Sequence, residues 1–125
     1  MEKKYTGYGR VNYQNGWVVL NVRYEILRYY KYVILKMTGK KINPPQHGAH
    51  VTIVAGKYHT VGHRAKWGKW QGKRLKFTYE PKIYCSPLYY WLKIDCPEFL
   101  KIRRELGLDK PAQPWHLTIG NLKNI

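Results

Sequence analysis

A tetrapeptide of the form His, apolar, Thr, apolar occurs twice in the 125-residue chain, at residues 50–53 and at residues 116–119. Each copy has the composition of a short strand. Each also follows the same order of segments, which is a strand, a helix and a proline-containing loop. The pattern predicts an internal duplication of architecture, and it restricts the chain to folds in which two strand–helix–strand units pack together.

The first unit begins at residues 17–22, a short β-branched apolar run that predicts a buried strand. Apolar residues then recur at spacings of three and four over residues 24–37. The Thr-Gly pair at 38–39 supplies a stop, so this segment predicts a helix. A loop with two prolines, residues 40–49, leads to a second predicted strand at residues 50–54.

The second unit repeats this order. Residues 89–94 predict a strand, and Pro97 predicts the start of a helix over residues 97–106 that Gly107 ends. A proline-containing loop follows, and residues 116–120 predict the last strand. The two units therefore have the same order of elements without close sequence identity.

Residues 75–79, between the two units, alternate in polarity with period two, and residues 82–85 can extend this strand beyond Pro81. A turn at 86–87 would pair it with the next strand. No linker divides the chain, so residues 1–125 are expected to form one domain. The expected fold class is α+β or mixed α/β, with two small sheets or two lobes that are each backed by one helix.

The chain contains 23 Lys and Arg residues against 7 Asp and Glu residues, a formal net charge of +16, which favours a polyanionic ligand. Apolar residues are 44% of the chain and aromatic residues 15%, which excludes a disordered basic tail of the histone kind. No apolar stretch reaches the ~18 residues of a membrane span, and no secretory segment follows Met1. The protein is therefore expected in the cytoplasm, with Cys85 and Cys96 reduced and packed.

The polar side chains of the repeated peptide project from one side of each strand. Because alternate residues of a strand point to opposite faces, His50 and Thr52 share a face, and so do His116 and Thr118. If the two units pack about a pseudo-twofold axis, two imidazoles and two hydroxyls surround one point. A single His-x-Thr on a strand is more often structural than catalytic, but two copies at equivalent positions favour a catalytic role.

Two opposed imidazoles suit phosphodiester cleavage. Free imidazole titrates near pH ~6.5, so one ring can accept the proton of the nucleophile while the other protonates the leaving oxygen. Threonine hydroxyls can donate hydrogen bonds to the non-bridging phosphate oxygens. The pattern predicts catalysis by His50, Thr52, His116 and Thr118, and this chemistry requires no metal and no cofactor.

The tandem His-x-Thr peptides, each followed by an apolar residue, resemble the 2H phosphoesterase superfamily over residues 17–122. The chain is also similar to the phage branch of that superfamily, the anti-CBASS phosphodiesterases, in the segments 9–13, 17–20, 67–72, 79–84 and 114–120. The resemblance implies an α+β fold with two pseudo-symmetric lobes around a central cleft, each lobe a small, mostly antiparallel sheet backed by a helix. The lobes would be roughly residues 17–55 and 75–122, with a basic aromatic loop at 57–74.

The resemblance also implies an activity. The expected protein is a metal-independent phosphodiesterase that degrades cyclic di- or oligonucleotide second messengers in the host cytoplasm and so counters anti-phage signalling. A ribose 2′-OH would attack the adjacent 3′,5′-phosphate, and neither a membrane nor an obligate protein partner is expected. Two alternatives stay open: an RNA 2′,3′-cyclic phosphodiesterase or RNA-end repair enzyme, and a non-catalytic nucleic-acid-binding module, which the charge alone would favour.

Substrate-binding candidates are concentrated in the aromatic and basic segment that ends at residue 74. Trp67 and Trp70 alternate there with cations such as Lys69; aromatic faces stack on nucleobases and cations bind phosphates. We expect one of the two tryptophans, not both, to contact substrate, the alternative being a solvated basic hairpin with one Trp on the core. Tyr13 is a second stacking candidate, and Glu80 can accept from a base edge or pair with a nearby lysine.

Overall fold

A computed structural model describes residues 4–56 and 66–123. Seven strands and two helices lie within these residues. In chain order they are β1 (Tyr5–Gln14), β2 (Trp17–Val22), α1 (Tyr24–Thr38), β3 (His50–Val54), β4 (Arg74–Tyr79), β5 (Tyr84–Cys85), β6 (Tyr89–Asp95), α2 (Pro97–Glu105) and β7 (His116–Asn121). The first half of the predicted loop at 57–74 lies outside the described residues.

The strands form one sheet in the order β4-β1-β2-β3-β7-β6-β5, and every pairing between them is antiparallel. A further pairing of Thr78 and Tyr79 in β4 with Asp95 and Ile94 in β6 closes six of the strands into a barrel. Strand β5 is added to the outer side of β6. The predicted α+β class with a mostly antiparallel sheet is therefore confirmed, but the two small sheets expected from the sequence are one continuous sheet.

The longest strand, β1, is missing from the sequence-based assignment. Two of its inward positions are Gly7 and Gly9, so the apolar alternation that marks a half-buried strand is absent there. A Cβ on Gly7 would overlap the ring of Phe77, and one on Gly9 would overlap Leu20. The two glycines therefore let the neighbouring strands β4 and β2 place large side chains against the β1 backbone.

The two helices begin and end where the sequence predicts, within one residue. Gly39 ends α1 in the left-handed conformation, with φ 72°, and its N–H donates to the carbonyl of Leu35. Pro97 stands at the start of α2, where a missing N–H costs nothing. The apolar side chains of both helices and of the barrel strands form one core, and each helix contacts a strand that bears a His-x-Thr peptide: α1 contacts β7, and α2 contacts β3.

The loop between α1 and β3 is attached to the end of β7. Asn43 and Asn121 exchange two backbone hydrogen bonds, of 2.8 and 3.0 Å. A Cβ on Gly120 would overlap the carbonyl oxygen of Asn43, so only glycine permits this approach. The contact fixes the loop directly before His50.

The cysteines differ in their surroundings. Both are free thiols, as the sequence predicts, but only Cys96 is buried, and Cys85 is exposed. Burial, together with a hydrogen bond to Glu98, raises the pKa of the Cys96 thiol to about 12. Neither described helix is long and apolar enough to span a membrane.

Candidate active site

The pairing of β3 with β7 brings the two His-x-Thr peptides side by side. Val51 pairs with Leu117 in an antiparallel register. The residues on either side of this pair therefore face each other across the strands, so that His50 lies opposite Thr118 and Thr52 lies opposite His116. Directly opposed Cβ atoms are about 5 Å apart, and the four polar side chains form a compact quartet on one face of the sheet.

The apolar partners of the quartet anchor it from the other face. Val51 and Leu117 are fully buried, and Ile53 and Ile119 are 1% and 0% exposed. The quartet side chains themselves are half-buried, except for the more exposed His116. The predicted division of these peptides into a buried and an accessible side is therefore present in the structure.

The two strands share a second irregular feature. The register of β3 with β2 shifts by one residue after Thr52, and the register of β7 with β6 shifts by one residue after Thr118. Each shift leaves one extra residue, Ile53 or Ile119, as a bulge. The bulges stand at equivalent positions of the two peptides, immediately after the threonine.

Each imidazole is held in the same way. The Nδ1 atom of His50 lies 3.0 Å from the carbonyl oxygen of Gly48, and that of His116 lies 3.4 Å from the carbonyl oxygen of Pro114. A carbonyl can only accept a hydrogen bond, so Nδ1 carries the proton in both rings. In the neutral ring, Nε2 then carries a lone pair and can accept a proton. In the protonated ring, Nε2 carries an N–H and can donate it, so either ring can act as base or as acid.

Cavities lie on both sides of the quartet. One, of about 330 Å³, is beside β2 and is lined by Gln14, Asn15, Trp17, Val19, Asn21, His47 and His50. The other, of about 540 Å³, is beside β6 and β5 and is lined by Tyr84, Ser86, Tyr89, Trp91, Lys93, Gln113, Pro114, His116 and Thr118. Both volumes fall in the range of small-molecule sites.

Most of the predicted substrate-binding residues belong to a different cluster. Tyr13 and Trp67 pack edge to face at 5.1 Å between ring centroids, and both contact the core. Trp70 Nε1 and Lys69 Nζ donate hydrogen bonds of 2.8 and 2.9 Å to the carboxylate of Glu105 at the end of α2. These contacts attach segment 66–73 to α2. None of Tyr13, Trp67, Trp70 or Lys69 is among the described residues that line either cavity.

Glu80 lies nearer to the quartet. It lines a third cavity, of about 280 Å³, together with Tyr84, Lys93 and Pro114, which also line the cavity of His116. Of the predicted substrate-binding residues, Glu80 is therefore the one that adjoins the site.

The carboxylate of Glu105 gives segment 66–73 a pH-dependent attachment. Burial raises the pKa of Glu105, but the hydrogen bonds from Lys69 and Trp70 outweigh burial and hold the pKa below its ordinary value of 4.5. Because the folded state binds this proton less tightly than the unfolded state, the contribution of the Glu105 carboxylate to the stability is present above pH 4.5 and is lost as the pH falls through the lower folded pKa.

Glu105→Gln is expected to lower Tm at neutral pH, and the difference in Tm between the variant and wild type is expected to shrink in acid. Thermal unfolding of both proteins from pH 7 to pH 3 measures it, and a difference that grows in acid would contradict the assignment.

The aromatic and polar residues that flank the quartet are not among the site residues that the sequence predicts. The sequence predicts Trp17 and Asn21 only as part of the strand at residues 17–22. It predicts Trp91 and Lys93 only as part of the strand at residues 89–94. Their alternation does put each pair on one face of its strand, which is a usable signal. The alternation of a strand does not show which strand pairs with it. For β1 and β2, however, the sequence does contain a pairing signal: Asn15 and Gly16, with φ of 50° and 83°, form the Asn-Gly turn that is typical of a two-residue hairpin.

Comparison of the chain with protein-family models, with curated proteins and with solved structures gave no match. Within residues 4–56 and 66–123, no three His, Cys, Asp or Glu side chains are grouped so that they could hold a metal ion. The functional assignment therefore depends on the quartet, its two flanking cavities and the chemistry that these groups permit.

Proposed function

We propose that the protein is a phosphodiesterase of the 2H type, in which His50 and His116 act as general base and general acid at one phosphorus atom. The single observation that supports this most directly is the matched pair of imidazoles. In each, Nδ1 lies 3.0 or 3.4 Å from the backbone carbonyl oxygen two residues earlier, and Nε2 forms no hydrogen bond with another described residue. A structural histidine needs no such matching partner on the neighbouring strand.

The reaction proceeds by transfer of two protons. The neutral imidazole takes the proton of a ribose 2′-OH through Nε2, and O2′ attacks the adjacent phosphorus. The P–O5′ bond breaks as the protonated imidazole donates its Nε2 proton to O5′. The products are a 2′,3′-cyclic phosphate and a 5′-hydroxyl, and the two rings have exchanged protonation states.

The hydroxyls of Thr52 and Thr118 stabilise the phosphate during this step. Each lies opposite the histidine of the other peptide, so the two hydroxyls reach the same phosphate group as the imidazoles. A hydroxyl donor directed at a non-bridging oxygen stabilises the charge that shifts there in the transition state. The net charge of +16 raises the encounter rate with such an anionic substrate.

We further propose that the barrel consists of two pseudo-symmetric lobes that meet at the β3–β7 pair, as in the 2H superfamily. The equal bulges after Thr52 and Thr118 support this division, as does the contact of each helix with a His-x-Thr strand. The proposed substrates are cyclic di- or oligonucleotides and similar small RNA-like molecules. A phage origin and a role against anti-phage signalling are part of the same proposal, through the resemblance of the flanking segments.

Incubation with a cyclic dinucleotide in the presence of EDTA tests the proposed function. The expected result is a linear product with a 2′,3′-cyclic phosphate, identified by mass analysis, at a rate that EDTA leaves unchanged, because both proton transfers use imidazole. The rate is expected to follow a bell-shaped pH profile, since one ring must be neutral and the other protonated. Binding of long RNA without any product would instead support a non-catalytic module.

A further inference from the structure

We infer that the site binds a nucleoside on each side of the scissile phosphate, with Trp17 and Trp91 as the two base-stacking platforms. This inference rests on the proposed function and makes its substrate more specific. The substrate would be an internal 3′,5′-phosphodiester between two nucleosides. A terminal 2′,3′-cyclic phosphate has a nucleoside on one side only.

The flanking strands β2 and β6 occupy equivalent positions around the quartet. His50 pairs with Asn21 and Thr52 with Val19 on β2, whereas His116 pairs with Lys93 and Thr118 with Trp91 on β6. Beyond the bulges, Val18 pairs with Val54 and Tyr90 pairs with Gly120, which are equivalent positions of the two peptides. By the same count along the strands, Trp17 of β2 corresponds to Tyr89 of β6. Each half of the site therefore places one strand, and one cavity, beside its own histidine.

The cavity beside β6 has a stacked aromatic pair as its wall. The rings of Trp91 and Tyr84 are 18° from parallel, with centroids 6.3 Å apart. Lys93 Nζ lies 4.3 Å and Lys82 Nζ 5.0 Å from the centroid of the Tyr84 ring. Tyr84 thus supports Trp91 from one side and holds two cations next to the cavity, which suits a nucleobase on the indole with phosphate nearby.

The cavity beside β2 has an aromatic wall of a different kind. Trp17 is 45% exposed, a large value for an indole. Gly56 packs against this side chain, because a Cβ at position 56 would overlap the indole. The side chains of Asn15 and Asn21 form no hydrogen bond with other described residues and can donate to and accept from the edge of a stacked base.

The two cavities therefore adjoin the same quartet but differ in the chemistry of the residues that line them. Amides and a single indole line the side of His50, and an aromatic pair with cations lines the side of His116. A ligand that fills both cavities must have two flat groups with a phosphate between them. A diribonucleoside monophosphate meets this description.

The test compares two substrates in four proteins. The substrates are adenylyl-3′,5′-adenosine and adenosine 3′-(methyl phosphate), in which a methyl group replaces the second nucleoside. The proteins are wild type, Trp17→Ala, Trp91→Ala and the control Tyr32→Ala, an exposed aromatic of α1 whose only ring contact among the described residues is Lys36. Each tryptophan variant is expected to lower kcat/KM on the dinucleotide by about 5- to 150-fold, the effect of one lost base stack.

On the methyl ester, one tryptophan variant is expected to match wild type and the other to keep its full loss, because one cavity is empty. This difference also identifies which cavity holds the attacking ribose. Equal losses on both substrates, or losses no larger than in Tyr32→Ala, would overturn the inference. Cleavage of the methyl ester by wild type would then leave the proposed function intact.

If wild type cleaves neither substrate, binding tests the two subsites alone. The proposed function itself fails if the cyclic dinucleotide is not cleaved either. The probe is the 2′-deoxy dinucleotide, which lacks the nucleophile, and the measurement is calorimetric titration. A Kd that rises by about 5- to 150-fold in each tryptophan variant supports two base subsites. No binding by wild type, or an unchanged Kd in either variant, overturns them.

Discussion

Replacement of His50 or His116 by alanine is expected to lower kcat by about 10²- to 10⁴-fold, the size of a lost general acid or general base. The double variant is expected to fall little below the slower single variant, because the two proton transfers belong to one step and their losses do not add. Steady-state kinetics on a cyclic dinucleotide measure both effects. Full activity in either single variant would contradict the mechanism.

The fold is expected to tolerate these substitutions. Each imidazole forms one hydrogen bond with a backbone carbonyl and lies on the accessible face, so its removal costs about 1 kcal/mol. Thermal unfolding checks this point. A variant that loses activity because it no longer folds would show a large fall in Tm.

The two threonines of the quartet give a second test of the mechanism, with serine variants as the matched controls. Thr52→Val and Thr118→Val remove a hydroxyl at nearly constant shape and are expected to lower kcat by up to about 10²- to 10³-fold, as a lost oxyanion donor does. Thr52→Ser and Thr118→Ser keep the hydroxyl and are expected to keep most of the activity. Equal activities of the serine and valine variants would show that the hydroxyls do not act on the phosphate.

Replacement of Arg103 by methionine is expected to have a large effect on stability. Arg103 is the one charged residue in the described core, 6% exposed. Its Nη1 donates to the carbonyl of Ile53 at 3.0 Å and its Nε to the carbonyl of Asp109 at 2.6 Å. Methionine fills part of the volume but leaves both acceptors without this donor, so we expect a loss of about 3 kcal/mol in the free energy of unfolding and a fall of about 10 °C in Tm.

The neighbouring residue gives the control for this prediction. Arg104 lies on the exposed side of the same helix, and Arg104→Met is expected to change stability by less than about 0.5 kcal/mol. Arg103→Lys is expected to fall between the two, because an ammonium group lacks the planar fork that binds two carbonyls. A stable Arg103→Met protein would show that the bulge at Ile53 does not depend on this side chain.

Arg103 also illustrates why part of the core escapes sequence reasoning. The helical pattern of Phe99, Ile102 and Leu106 predicts the buried face of α2 correctly. Position 103, four residues after Phe99, lies on the same face by this spacing, but an arginine there gives no signal of burial, because charged side chains are seldom buried. The guanidinium is accommodated there because it donates to the carbonyl of Ile53, the bulge residue of β3, which lies 50 residues away in sequence.

The predicted substrate-binding residues show the same limit. Trp67, Trp70 and Lys69 have the composition of a nucleic-acid-binding loop, yet Trp70 and Lys69 bind Glu105, which lies about 35 residues away in sequence. The composition of a segment shows which donors it contains. It does not show which distant carboxylate will come within hydrogen-bonding distance of those donors.

The sequence by itself determined both helices, most of the strands and the His-x-Thr quartet of the candidate site. Spacings of two, three and four residues, a glycine stop and a proline start fix the helices and most strands, because these signals act within a few residues. The tertiary structure alone decided that the seven described strands form one sheet, that six of them, β1 included, close into a barrel, and that Trp17 and Trp91 stand on either side of the quartet. These outcomes depend on register between distant segments, which side-chain packing across the sheet selects and no local pattern encodes.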